Sequence, residues 1–367
     1  MRWYIIILSS PFTSFILSYY FTLTAGLVTA TANAMAASAD AGLESVAVSG
    51  ARFFLNTLNL EQFTRDVVIR MVQLQHDKQA GRLNLAAVCA GEFSLITRLS
   101  AALLCNGCAE EAAAVSQAFW EVANDTAPDD DDSGTPLPIP PSTIAGTMAP
   151  AIVTAVDAGH ALTVAEVQRL LIQRGCHLLV VWLTYAVATV EGRPDAVSKG
   201  TIAALGLPGG EDLASNIAAL TMVEGHYEVA AKVAGLMYKD AKEDKTQSVD
   251  DTTLSSQRLT TIVTRVVANA ASQSIGIRQI QPVIKVTELL FEQQDGELAA
   301  GAVMTMLFRG EVKAVAIVSV RALHQGKRQL VVQLIMEMMA QMRHLGAILC
   351  LVYVMFECMR LLYRFFK

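Results

Sequence analysis

Apolar positions recur at helical spacing along most of this chain, and polar breaks divide the pattern. Residues 41–124 read as helix almost throughout, with Leu60, Phe63, Val67, Ile69, Met71 and Leu74 forming an imperfect stripe. Residues 125–150 interrupt it with Asp129 to Asp132 and a run of prolines. The pattern of helix, short turn, helix then fills 151–238. A second polar stretch covers 239–258, and helical repeats resume over 259–343. A last segment, 345–367, begins apolar and becomes amphipathic where Glu357, Arg360 and Arg364 enter at helical spacing. Both polar stretches are predicted to be exposed connections, since their composition cannot build a packed core.

The turns between helices carry a period. Gly159, Gly192 and Gly225 lie 33 residues apart, and similar windows surround Gly107 and Gly310. A glycine after a helix supplies the left-handed residue that ends it at little cost. Acids follow in the next first turn at Glu110, Asp195, Glu228 and Glu311, where they meet the positive end of the helix dipole. Val115, Val167, Val233 and Val318 each fall eight residues after a turn glycine, which predicts an equivalent buried contact in each second helix. One helical pair cannot bury both its apolar faces, so neighbouring pairs must stack. The expected fold is all-α: an array of antiparallel helical hairpins, an α-solenoid with degenerate repeats of about 33 residues.

The windows Leu95–Trp120, Val181–Ile202, Ala214–Met237 and Leu298–Leu323 resemble pentatricopeptide repeats. That resemblance implies single-stranded RNA as a ligand, in mitochondria or chloroplasts, read by side chains on the first helix of each pair. The matching position, ten residues before the glycine, is small and polar at Thr97 and Ser215 but apolar at Ala149, Trp182 and Ala300. The resemblance therefore points to a packing subunit of a ribonucleoprotein assembly rather than to a base-by-base code.

Composition narrows the classes further. Hydrophobic residues make up 53% of the 367 and aromatics only 7%, which suits closely packed short helices better than a β-sandwich. The net charge of −6 does not by itself attract nucleic acid. The charge is uneven, however: no Lys or Arg lies between Glu110 and Asp132, whereas Arg309, Lys313, Arg321, Lys327 and Arg328 crowd the C-terminal third. With Thr97 and Ser215, these five are the expected RNA contacts, the basic ones acting on phosphates.

Candidate chemistry is sparse. Cys105 and Cys108 form a lone C-x-x-C with no second pair for a structural zinc and no thioredoxin-like context. The six histidines are scattered, and the glycines near Gly206 to Gly210 match no phosphate-binding loop. No catalytic residue, metal site or cofactor is expected.

The two ends leave several readings open. Residues 1–34 are apolar and acid-free, as expected of a secretory signal, a membrane anchor, an organellar presequence, or an upstream misread start before Met35. The C-terminal segment reads as a closing helix or a tail anchor. The expectation from sequence is a non-catalytic helical-repeat protein of a mitochondrial RNA-handling assembly, contacting protein partners and single-stranded or ribosomal RNA. The alternative is an interaction scaffold held at a membrane, or in the secretory pathway, by either terminus.

Overall fold

The computed structural model describes residues 11–57, 61–125, 139–243 and 256–341. The C-terminal segment 345–367, residues 126–138 of the acidic stretch and residues 244–255 of the second polar stretch lie outside these residues. Among the described residues there are seventeen α-helices and no strand. The chain divides into two units, 1–176 and 177–367.

The first unit holds α1 (Pro11–Asp40), α2 (Glu44–Arg52), α3 (Glu61–Gln73), α4 (Asp77–Cys89), α5 (Phe93–Cys105), α6 (Ala109–Asp125), α7 (Pro141–Asp157) and α8 (Ala161–Gln173). The second holds α9 (His177–Tyr185), α10 (Pro194–Ala204), α11 (Gly210–Val223), α12 (Tyr227–Glu243), α13 (Ser256–Gly276), α14 (Ile280–Glu292), α15 (Gly296–Phe308), α16 (Val312–His324) and α17 (Arg328–Gln341). Within each unit every helix packs along the helix two further on: α4 on α6, α5 on α7, α11 on α13, α15 on α17. Consecutive helices also touch, so each unit is a stack of helical hairpins in two layers.

The 33-residue spacing resolves into two shorter steps. A left-handed residue ends nearly every helix, and between Gly159, Gly192 and Gly225 two more stand at Gly175 and Gly209, giving steps of 16 and 17. The repeating unit is thus one helix and its turn. The usual turn satisfies the last carbonyls with a fixed pair of hydrogen bonds. At Gly91, for example, the Gly91 N–H donates to the Val88 carbonyl at 2.9 Å and the Glu92 N–H to the Ala87 carbonyl at 2.8 Å. The same pair recurs at Gly107, Gly159, Gly225 and Gly310, and also at Gln75, Arg278 and Gln294, where a side chain tolerates positive φ.

Steps of 17 have local causes. After α9 the chain continues as a π-helical turn, Ala186–Val190, which accommodates one extra residue before Gly192. The connection from α10 to Gly209 is longer than the others and contains Pro208.

Helix α7 begins at Pro141, so residues 141–150, read from sequence as the end of the acidic connection, belong to a buried helix instead. Pro141 occupies the first turn, where its missing N–H costs nothing. Pro150 lies inside the helix and removes a backbone bond, a loss of roughly 3 kcal/mol. Ile144, Ala145, Met148, Ala149 and Ala151 are buried around it, and their burial offsets that loss.

Candidate interaction surface

The repeat has one position that fixes how closely the layers stack: the sixth residue after each left-handed residue. Ala113, Ser198, Ser215, Ala231, Ala300 and Ala316 hold it with no exposure, and the larger Val48, Val181 and Ile284 hold it buried too. It is the crossing point with the helix two further on. At Gly81 a Cβ would lie only 2.5 Å from the backbone of Ala118 in α6. The Ser198 hydroxyl donates to Asp240 Oδ2 at 3.0 Å, reaching from α10 to α12.

Both candidate base-reading residues occupy this same position. The Thr97 hydroxyl reaches the Thr147 carbonyl of α7 at 2.8 Å. Ser215 donates to the Glu211 carbonyl at 2.7 Å and accepts from Asn269 Nδ2 of α13 at 3.4 Å. Ser215 is completely shielded from solvent, so a base edge has no approach to it. Ser215, expected to contact RNA, is out of reach of it, while Thr97 is partly exposed and its hydroxyl is engaged with α7.

The basic candidates separate into engaged and exposed groups. Lys327 is half-buried and pairs with Glu288, whose carboxyl is held below its usual range by hydrogen bonding to Lys327, with Lys285 adding to the effect. The Arg309 guanidinium donates to the Asn269 amide oxygen while remaining exposed. Lys313, Arg321 and Arg328 are exposed and form no ion pair among the described residues. In α16, Lys313, Ile317, Arg321 and His324 follow at helical spacing and make one exposed, mostly basic stripe.

Helix α17 adds a feature absent from the sequence reading. Val332, Met336 and Met339 are exposed by 54%, 65% and 58%. Their spacing puts them on one face. They stand six, ten and thirteen residues after left-handed Gly326, as Ala300, Met304 and Leu307 stand after Gln294 in α15. There Ala300 and Leu307 are buried, α17 being packed along α15. The signal for this face was legible only once the one-helix period was known. Phe308, exposed by 70%, lies beside Arg309 at the end of α15.

Elsewhere, polar groups serve packing. In the second unit Asp295 is buried, approaches Lys239 Nζ at 3.5 Å, and sits where a Cβ on Gly235 would go. Burial, together with nearby Glu297, pushes the Tyr238 phenol far above its ordinary range. The ring of His226 stacks on Tyr185 at 4.2 Å, and burial lowers its pKa. Burial likewise raises the Cys108 thiol, which disfavours a reactive thiolate. No group of metal-binding side chains occurs among the described residues.

The five turn glycines predicted from sequence, Gly107, Gly159, Gly192, Gly225 and Gly310, all have positive φ. No described helix is long and apolar enough to cross a membrane.

No protein-family model matches this chain, and no curated protein matches it. A solved structure described as a "Circular tandem repeat protein with novel repeat topology and enhanced subunit contact surfaces" is similar over 92% of this chain and 86% of that chain, at 13% identity and a TM-score of 0.30. The helical-repeat assignment rests on this chain's own ladder of helices.

Proposed function

We propose that this protein is a non-catalytic helical-repeat scaffold that docks an acidic, partly apolar protein partner on α15 to α17. The carrying observation is the pairing of two exposed stripes on one helical hairpin: Lys313, Arg321 and His324 on α16, and Val332, Met336 and Met339 on α17. Monomeric surfaces rarely leave such apolar side chains grouped unless a partner covers them, and Lys313 and Arg321 lie on the same hairpin. The apolar stripe supplies the desolvated centre of an interface and the basic stripe steers and orients an acidic partner.

A second reading has its own observation. Arg309, Lys313, Arg321 and Arg328 could hold the phosphates of a single RNA strand, in the organellar assembly that the pentatricopeptide resemblance implies. It would be sequence-tolerant, since Ser215 is buried and the Thr97 hydroxyl is engaged with α7. The membrane-held alternative depends on the two chain ends rather than on this surface.

Titration with single-stranded RNA across a salt series separates the first two. Binding that weakens steeply with salt and survives Met336→Lys supports RNA. Recovery of acidic proteins from native extract, lost in both Met336→Lys and Arg321→Glu, supports the protein partner.

A further inference from the structure

The layer that holds α17 is built one way within each unit: every helix carries the helix two further on along one face. In the first unit α1 carries α3, α3 carries α5 and α5 carries α7. In the second α9 carries α11, α11 carries α13, α13 carries α15 and α15 carries α17. On α17 the matching positions are Val332, Met336 and Met339, exposed and with no described helix along them. Arg328 stands four residues before Val332, on the same face, and is exposed.

A helix face offers a partner side chains only, because its N–H and C=O groups are bonded along its own axis. An extended strand laid there would press unpaired backbone groups against valine and methionine, which give nothing in return. A helix arrives with its backbone already satisfied, and helices fill the equivalent face on the preceding rungs. Val332 is larger than the alanine or serine at most covered crossings, but Val48, Val181 and Ile284 are covered too, so its size admits a helix. The methionines bend to fit the side chains laid on them.

Given the reading of this hairpin as a partner's docking surface, on which this step rests, we infer that the element docked on α17 is an α-helix of the partner. It lies along α17 as the next rung of the layer. Its apolar stripe covers Val332, Met336 and Met339, and a carboxylate at one end meets Arg328.

Three synthetic peptides test this on the full chain. One is a helix stapled on its far side, with a leucine and alanine stripe and a glutamate at one end. The second is the same peptide broken by a central proline, and the third is the stapled helix with lysine for glutamate. Methyl NMR of Met336 and Met339 locates binding, and fluorescence anisotropy measures it. The stapled glutamate peptide should shift both methyls saturably. The proline-broken peptide should bind at least about tenfold more weakly, since proline breaks the helix. The lysine peptide should bind about fivefold more weakly, and Arg328→Glu should reverse that order. Circular dichroism verifies that the variant is folded. No saturable shift, equal binding of the proline-broken peptide, or an unchanged order in folded Arg328→Glu overturns the inference. So does shielding of the Met336 and Met339 methyls from a soluble paramagnet in the chain alone, which would mean that residues 345–367 or a second copy already hold the face. Acidic proteins still recovered from native extract through Arg321 and Met336 alongside such a result would reject the helical occupant alone; their absence would reject the docking surface with it.

Discussion

Helices α15 and α17 occupy the same layer and carry equivalent stripes, yet one is covered and the other open. Ala300 and Leu307 are buried where α17 packs along α15, whereas Val332 and Met339 at the same repeat positions are more than half exposed. The residues also differ in size. Most covered crossings hold alanine, serine or glycine, and at Gly81 the next helix comes within backbone contact, but Val48, Val181 and Ile284 are covered as well. Among the described residues no helix packs on this face of α17, and the segment that follows it, 342–367, lies outside them.

The comparison breaks most sharply at the closest crossing. Gly81→Leu forces a side chain into the backbone of Ala118, and the first unit should lose more than about 3 kcal/mol, measured by denaturant unfolding. A destabilisation under about 1 kcal/mol would show that the layers are looser than described. Ala300→Met overpacks the covered crossing of α15 and should cost about 1–3 kcal/mol, while Val332→Met on α17 should change stability by less than about 0.5 kcal/mol. Equal effects would mean that the two positions do not differ in how closely they are packed.

The turns sharpen the same comparison at lower cost. Gly159→Ala should destabilise by about 1 kcal/mol, since alanine resists positive φ. Gln294→Gly, in the same conformation, should stabilise by about the same amount. If Gln294→Gly destabilises, its side chain contributes a contact that outweighs its backbone strain.

The smallest effect is on acidity. Burial lowers the folded-state pKa of His226 below its ordinary value of 6.5, so the unfolded chain binds the proton more readily. Its contribution to stability is present at neutral pH and above, and fades as pH falls through about 6.5 into the lowered folded-state range. His226→Phe should flatten that part of the stability profile, and an unchanged profile would assign it to other groups.

Much of the architecture was legible beforehand because glycine announces a left-handed turn directly. The shorter step was not, for identifiable reasons. Gln75, Arg278 and Gln294 make the same turn without glycine, and the π-helical residues after α9 shift the count by one. Ser215 was misread because a small polar residue looks the same whether it meets a base or another helix. Pro150 suggested a break, since a proline's local cost is visible in sequence and the burial that offsets it is not. The open face of α17 was hidden because Val332, Met336 and Met339 look like any core stripe.

Protein recovery from native extract tests the central claim most directly, comparing the unaltered chain, Met336→Lys, Arg321→Glu and the control Lys78→Gln in the first unit by quantitative mass spectrometry. The account predicts one set of acidic proteins retained by the unaltered chain and the control and depleted in both Met336→Lys and Arg321→Glu. Identical recovery across all four, with every variant folded, would contradict it.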